Sequence, residues 1–414
     1  MTLLAQLSFC LLAALTLAQG IYVVGFVWQL LRFQRPLVCD SDAVPATVVL
    51  CLRGGDPFLR DCLHGLLMQD YPTFTVLVVV DHPDDPAMHA LQEFRGDPRL
   101  EIQLLDYPRD TCSLKCSSLV QAVRSLDPTV EIVAQIDADT IPHPSWLREL
   151  ATALQDERIG AATGNRWYMP ANPGQASLVR YLWNAAAIVQ MYWYRIAWGG
   201  TLAIKTSVFR NSDLLDYWSH AFCEDTMLYT RLKALNLEVA FVPSLTMVNR
   251  EDCDLRGYFQ WVCRQLLTAR LYHPAWLAVA AHGVLSILTP YCVLALAAIA
   301  ASWGNLAAAR LAGVSFIAYQ VIFLLMLVPL ELSVRRIVAA RHQTTQWLGW
   351  SGVCQLVLAV PLTQFVYALA LATASRMRFV AWRGVRYRIA KSGAIKLEEY
   401  KRFAAPPDHQ RTLL

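Results

Sequence analysis

Residues Glu131–Thr140 read EIVAQIDADT. An apolar, partly β-branched run ends at once in two carboxylates, Asp137 and Asp139, one residue apart. Such a run, bounded by a turn, has the pattern of a buried strand. One acid at a strand end is ordinary. Two, where a sheet opens into a loop, are hard oxygen ligands of the kind Mg2+ and Mn2+ take, although a solvated turn has the same composition. The stretches upstream repeat the pattern. Thr47–Leu52 (TVVLCL) and Phe74–Val80 (FTVLVVV) read as buried strands, the second ending in Asp81, and Glu101–Leu105 reads as a shorter third. Between them, Phe58–Met68 and Ser113–Val123 read as helices, the first with Leu59, Cys62, Leu63 and Leu66 at helical spacing. Strand alternating with helix predicts an α/β fold with a parallel sheet and crossover helices. Ligands of such sheets gather beyond the carboxyl ends of the strands, where Asp81 and Asp137 stand.

The whole chain is too apolar for an ordinary soluble protein: 56% of its 414 residues are hydrophobic and 16% charged. Residues 1–31, 275–303, 311–330 and 346–375 contain no Asp, Glu, Lys or Arg, and each is long enough to cross a bilayer core, which takes about 20 residues. The expected division is an N-terminal transmembrane anchor over 1–32, a catalytic domain over 33–254, an interfacial amphipathic helix over 255–274, a transmembrane bundle over 275–375 and a basic tail over 376–414. The first segment is too long for a signal peptide and has no positive charge in Met1–Gln6. Arg32 and Arg35 follow it, which places the domain in the cytoplasm by the positive-inside rule. The tail carries nine basic residues from Arg376 to Arg402 against Glu398 and Glu399, favouring the cytoplasmic face and anionic lipid. No nucleic-acid recognition motif accompanies it. Three C-terminal spans put that tail on the wrong side, so 346–375, with Pro361 near its middle, is expected to form a hairpin that returns. The eleven cysteines have no paired spacing and suit a reduced domain.

Other residues carry two readings each. Asp81 opens an acidic Pro-rich run, DHPDDPA, which suits a nucleotide pocket or a plain surface loop. Asp225, in Cys223-Glu224-Asp225-Thr226, suits a helix N-cap or a general base. Gly199 and Gly200, before a β-branched run, allow close approach of a ligand or a tight turn. Leu255–Leu271 is amphipathic, and an arginine on it suits bidentate contact with a diphosphate. The aromatics of Tyr181–Trp198 suit either a membrane interface or a core.

The order of these pieces, with "GGDPFLRDCLHGLLMQDYPTFTVLVVV", "LKCSSL", "WGGTLAIK" and the tail "WRGVRYRIAKSG", resembles the membrane-bound family 2 glycosyltransferases of GT-A fold. More narrowly it is similar to ceramide glucosyltransferase and its bacterial hopanoid-type relatives. The resemblance implies that Asp81 contacts the base or ribose, with Asp84 or Asp85 as alternative matches, and that Lys115 lies near the nucleotide. It implies Asp139 on a Mg2+ or Mn2+ ion, Asp137 on the nucleoside end, Asp225 beside Glu224 as base, and Arg264 on the diphosphate. The motif around Arg264 departs from the family's: Trp261 stands where Gln or Arg is expected and Gln265 where Trp is expected. That departure falls on the acceptor side, with Gly199 and Gly200, and leaves the nucleotide side intact. The implied activity is inverting transfer of a hexose, glucose first among them, from a UDP-sugar to a membrane lipid alcohol by an integral, multi-pass protein. The alternatives are a processive polysaccharide synthase of the cellulose or chitin type, or a non-enzymatic membrane scaffold.

Overall fold

The structure is a computed structural model that describes residues 1–34, 36–169 and 174–403; Arg35 and the end of the tail fall outside it. Helix α1 (Thr2–Leu31) precedes the α/β unit. That unit runs β1 (Ala46–Leu52), α2 (Leu59–Leu67), β2 (Phe74–Val80), α3 (Ala87–Gln92), β3 (Leu100–Leu104), α4 (Leu114–Arg124), β4 (Ile132–Ile136), α5 (Trp146–Leu154) and β5 (Ile159–Tyr168). It continues through α6 (Gln175–Tyr194), β6 (Thr201–Lys205), three short helices α7 (Thr206–Arg210), α8 (Leu214–Trp218) and α9 (Leu228–Ala234), and β7 (Glu238–Asn249). The sheet order is β3-β2-β1-β4-β6-β5-β7. β1 is parallel to β2 and β4, and β6 is antiparallel to both of its neighbours.

Alternate residues of a strand point to opposite faces, and here both faces are covered. Val48, Leu50 and Leu52 of β1 pack with Leu59, Leu63 and Trp146, while Val49 packs with Leu119 and Val120 of α4. That double burial is why β1, β2 and β4 are nearly continuous apolar runs. Ser113 caps α4 by accepting from the Cys116 N–H at 3.1 Å, which sets the first turn carrying Lys115. A parallel-dominated sheet sheathed in helices is the GT-A architecture that the sequence reading expects.

Helix α10 (Leu255–Tyr272), capped by Asp254, leads into α11 (Trp276–Ser302), α12 (Leu306–Ala340) and α13 (Trp350–Arg376). Among the described residues four helices, α1 and α11–α13, are long and apolar enough to cross a membrane. α12 returns to the α/β unit: Glu331 accepts from Trp167 Nε1 at 2.9 Å and Tyr181 OH at 2.8 Å, and Arg341 pairs with Glu149 at 2.5 Å.

The expected hairpin within 346–375 is not there. One helix, α13, runs through Pro361 without a break. Where water is scarce an unbroken helix satisfies nearly all its own backbone groups and a turn does not, so proline is tolerated inside; Pro290 and Pro329 sit inside α11 and α12 in the same way. The chain nonetheless enters and leaves α13 beside the α/β unit. Before it, Arg250, just after β7, donates to the Thr344 carbonyl at 2.5 Å; after it, Arg270 of α10 donates to the Ala374 and Met377 carbonyls at 2.5 and 2.8 Å, and Met377 packs against the cluster that holds Leu114 and Leu119 of α4. The tail then folds as β8 (Phe379–Trp382), β9 (Val385–Ile389) and β10 (Ile395–Tyr400), an antiparallel sheet. It docks on the α/β unit through Val380, Val385, Tyr387 and Ile395, which pack with Leu114, Leu119 and Phe222.

Candidate functional site

Asp137 and Asp139 follow β4 at the carboxyl edge of the sheet. Lys115 Nζ bridges Asp137 Oδ1 and Glu224 Oε1, 2.7 Å from each, and lies 3.4 Å from the Gly199 carbonyl. Burial alone would discharge this lysine, but the two carboxylates outweigh it and hold its pKa well above the ordinary value. Asp137 is correspondingly held below the usual range: burial raises it, and Lys115 more than reverses that.

Asp139 has the opposite environment. Burial and the neighbouring Asp137 push it up to about 7. It accepts from Asn249 Nδ2 at 3.2 Å and Thr140 Oγ1 at 3.3 Å, and among the described residues no cation pairs with it. A carboxylate without a counter-ion, beside a second carboxylate, fits a hard divalent cation. Among the described residues no three His, Cys, Asp or Glu side chains converge on one point. The donor set is therefore one that leaves most of the shell to water and phosphate, as Mg2+ sites do.

Glu224 is buried and raised to about 7, chiefly by burial, with Lys115 opposing. Its Oε1 would lie 2.0 Å from a Cβ on Gly199, so glycine at 199 is what lets Glu224 reach Lys115. Asp225 accepts from the Gly199 N–H at 2.8 Å through Oδ2, and from Thr226 N–H and Oγ1 at 2.6 and 2.9 Å through Oδ1. Those bonds orient it at the cavity wall. Gly200 does not line the cavity: a Cβ there would meet the Trp198 ring at 2.1 Å. Glycine at 200 therefore leaves room for the Trp198 ring at the turn into β6.

Asp81 lies at the end of β2 and is buried. Its Oδ2 is taken by Arg53 and, at 3.1 Å, by Tyr400 of the tail, while Oδ1 has no partner among the described residues and the residue lines the cavity. Burial is the main cause that raises its pKa. Of the alternative matches, Asp85 ties the Gly54 N–H at 2.9 Å and Asp84 is exposed.

Arg264 on α10 lines the same cavity, depressed to about 10 by burial and by Arg166 and Arg383. Trp261 is buried edge-on to Tyr168 and Trp183, with the Arg166 guanidinium 4.7 Å from its ring centroid. Gln265 accepts from Arg166 at 3.4 Å. Sequence reasoning missed Arg53, Arg166 and Asn249. Arg53 follows a strand and Arg166 lies within one, which is a weak signal without the fold.

Lys115, Gly199, Glu224, Trp261 and Gln265 share with the carboxylates one cavity of about 390 Å³. At one end it is lined by Asp81, Asp137, Asp139, Asp225 and Arg264. At the other it reaches His282, Tyr319 and Gln364 among α11, α12 and α13. Sheet edge and apolar helices thus open into the same space.

The family model described as glycosyl transferase family 21 matches residues 8–395. An N-acetylglucosaminyltransferase of Mesorhizobium japonicum (strain LMG 29417 / CECT 9101 / MAFF 303099) is 30% identical over 120 residues, 28% of this chain and 27% of that protein. One from Rhizobium sp. (strain N33) is 30% identical over 129 residues, 30% of this chain and 27% of that protein. The chain thus spans about a quarter of the length of these curated relatives. Among solved structures, the mannosyltransferase PcManGT from Pyrobaculum calidifontis, in complex with GDP-Man and Mn2+, has a TM-score of 0.48 at 17% identity, covering 89% of this chain and 99% of that one. Glucosyl-3-phosphoglycerate synthase from Mycobacterium tuberculosis, with Mn2+, UDP and glucosyl-3-phosphoglycerate, has a TM-score of 0.38 at 13% identity, covering 56% and 85%. By the match over nearly its whole length, the chain belongs to glycosyl transferase family 21.

Proposed function

We propose that the protein transfers a hexose, glucose first among the candidates, from a UDP-sugar to the hydroxyl of a membrane lipid, with inversion. The observation that carries this reading is the single cavity joining the carboxylate-lined sheet edge to the apolar helices: an acceptor too apolar to leave the bilayer reaches the donor from within it. Asp81 offers its free Oδ1 to the base or ribose. Arg264 and Arg166 hold the diphosphate by charge-assisted hydrogen bonds. A divalent ion, Mg2+ or Mn2+, held by Asp139, supplies positive charge to the leaving diphosphate when bound. Asp225 takes the proton of the acceptor hydroxyl as its oxygen bonds to the anomeric carbon and the bond to the diphosphate breaks. Lys115 keeps Asp137 and Glu224 in place, and Gly199 leaves room for that clamp.

The test is transfer of label from UDP-glucose, and in parallel from UDP-N-acetylglucosamine, to organic-soluble product in membranes containing the protein. The second donor is included because the curated relatives are N-acetylglucosaminyltransferases. Asp225→Asn should abolish label in lipid while leaving UDP binding intact. Label found only in a polymer would instead support a processive synthase.

A further inference from the structure

The tip of the β8–β9 hairpin, Trp382-Arg383-Gly384-Val385, reaches the donor end of the cavity. Arg383 and Gly384 both have left-handed backbones, with φ of 44° and 80°. Two such residues in a row, between the paired Trp382 and Val385, match a type I′ tip, where Asn-Gly is the favoured pair. Arginine is an uncommon choice there, and strained backbone that persists often marks function.

The side chain is placed accordingly. Arg383 lies 5.1 Å from the centroid of the Trp382 ring, and Arg264 lies 5.8 Å from the same ring. Nη1 donates to the Arg53 carbonyl at 2.5 Å and Nη2 to Asp56 Oδ2 at 3.4 Å, while Nε is buried without a partner among the described residues. Arg166, Arg264 and Arg383 all line one end of one cavity. The nearby Asp137 is already clamped by Lys115. Asp56 offsets part of the charge of Arg383, but three guanidinium groups lining one cavity still repel one another, and a multiply charged anion relieves that repulsion with hydrogen bonds that suit their geometry.

We propose that Arg383 is a third arginine of the donor site, contacting the diphosphate with Arg166 and Arg264, so that the C-terminal hairpin is part of the donor pocket. This rests on the nucleotide-sugar donor proposed above.

The test titrates UDP, inorganic pyrophosphate and uridine, with Mn2+ present, onto the full chain in detergent. Wild type is compared with Arg383→Asn, Arg383→Lys and Arg388→Asn, the last on the exposed side of β9. Asn suits the tip better than Arg, so Arg383→Asn keeps the hairpin while removing the cation. Affinity for UDP and pyrophosphate should fall about ten-fold or more in Arg383→Asn, the loss of one charged hydrogen-bonding group, and recover partly in Arg383→Lys. Uridine binding, and all binding by Arg388→Asn, should be unchanged. Equal UDP affinity in wild type and Arg383→Asn overturns the proposal. So does an equal loss for uridine and UDP, which makes Arg383 a prop for Arg53. If pyrophosphate binds through Arg383 and UDP binds no better, the anion site stands and the nucleotide-donor reading falls.

Discussion

At the residue scale, Asp137 and Asp139 differ by one position and by opposite fates. Lys115 stabilises the charged form of the first. The second faces burial and a like charge, which push it up to about 7 from an ordinary 3.8. A carboxyl raised on folding binds more protons in the native than in the unfolded state between those two values. Its contribution to stability therefore falls as pH rises from about 4 to about 7 and levels off above. A bound divalent cation removes the penalty. Thermal melts of the metal-free protein should show this: Asp139→Asn should flatten part of the fall relative to wild type. At pH 7.5, Mn2+ should raise the melting temperature of wild type and leave that of Asp139→Asn unchanged. A full Mn2+ response in the variant places the ion elsewhere.

At the element scale, the region after α13 is the element whose composition misled. It reads as a basic tail because its charges dominate the count, yet every second residue of β9 is apolar: Val385, Tyr387 and Ile389 are buried while Arg386 and Arg388 face out. That period of two is a half-buried strand. Tyr387 anchors it, accepting from the Leu114 N–H at 3.0 Å, one of the donors a helix start leaves without an internal partner. Tyr387→Phe leaves that buried N–H unsatisfied and should destabilise by about 1–3 kcal/mol. The loss is measurable as a lowered melting temperature, and UDP affinity should weaken with it because the same sheet carries Tyr400 and Arg383. An unchanged melting temperature argues that the tail is not docked.

At the scale of the whole molecule, the contacts order the ends of the helices. The start of α1 packs with Ala300 and Ala308, around the α11–α12 turn, far along the chain from the sheet. The α12–α13 connection and the C-terminal sheet both touch the α/β unit. We therefore propose that the N-terminus and residue 304 share one side of the membrane, and residue 345 and the C-terminus share the other. Reporter tags at these four positions check it; tags at 345 and the C-terminus on opposite sides overturn it.

Much of this was legible beforehand because it is local. Strand and helix alternation, apolar length and the Asp-x-Asp at a strand end follow from the period of hydrophobicity and from where a run stops, which neighbours in sequence determine. The sequence by itself therefore determined the α/β class, the four long apolar stretches and the carboxylates at the sheet edge. What only the tertiary structure decided depends on partners distant in the chain. Lys115 meets Asp137 and Glu224, 22 and 109 residues away, and Arg383 returns to Arg53 across 330. What Gly200 faces is not written in a glycine pair, which has no side chain to show it; the packed Trp198 ring is a feature of the fold alone. α13 stayed whole through Pro361 because its backbone groups find partners within the helix and its ends find the α/β unit, and neither is written in the residues around the proline.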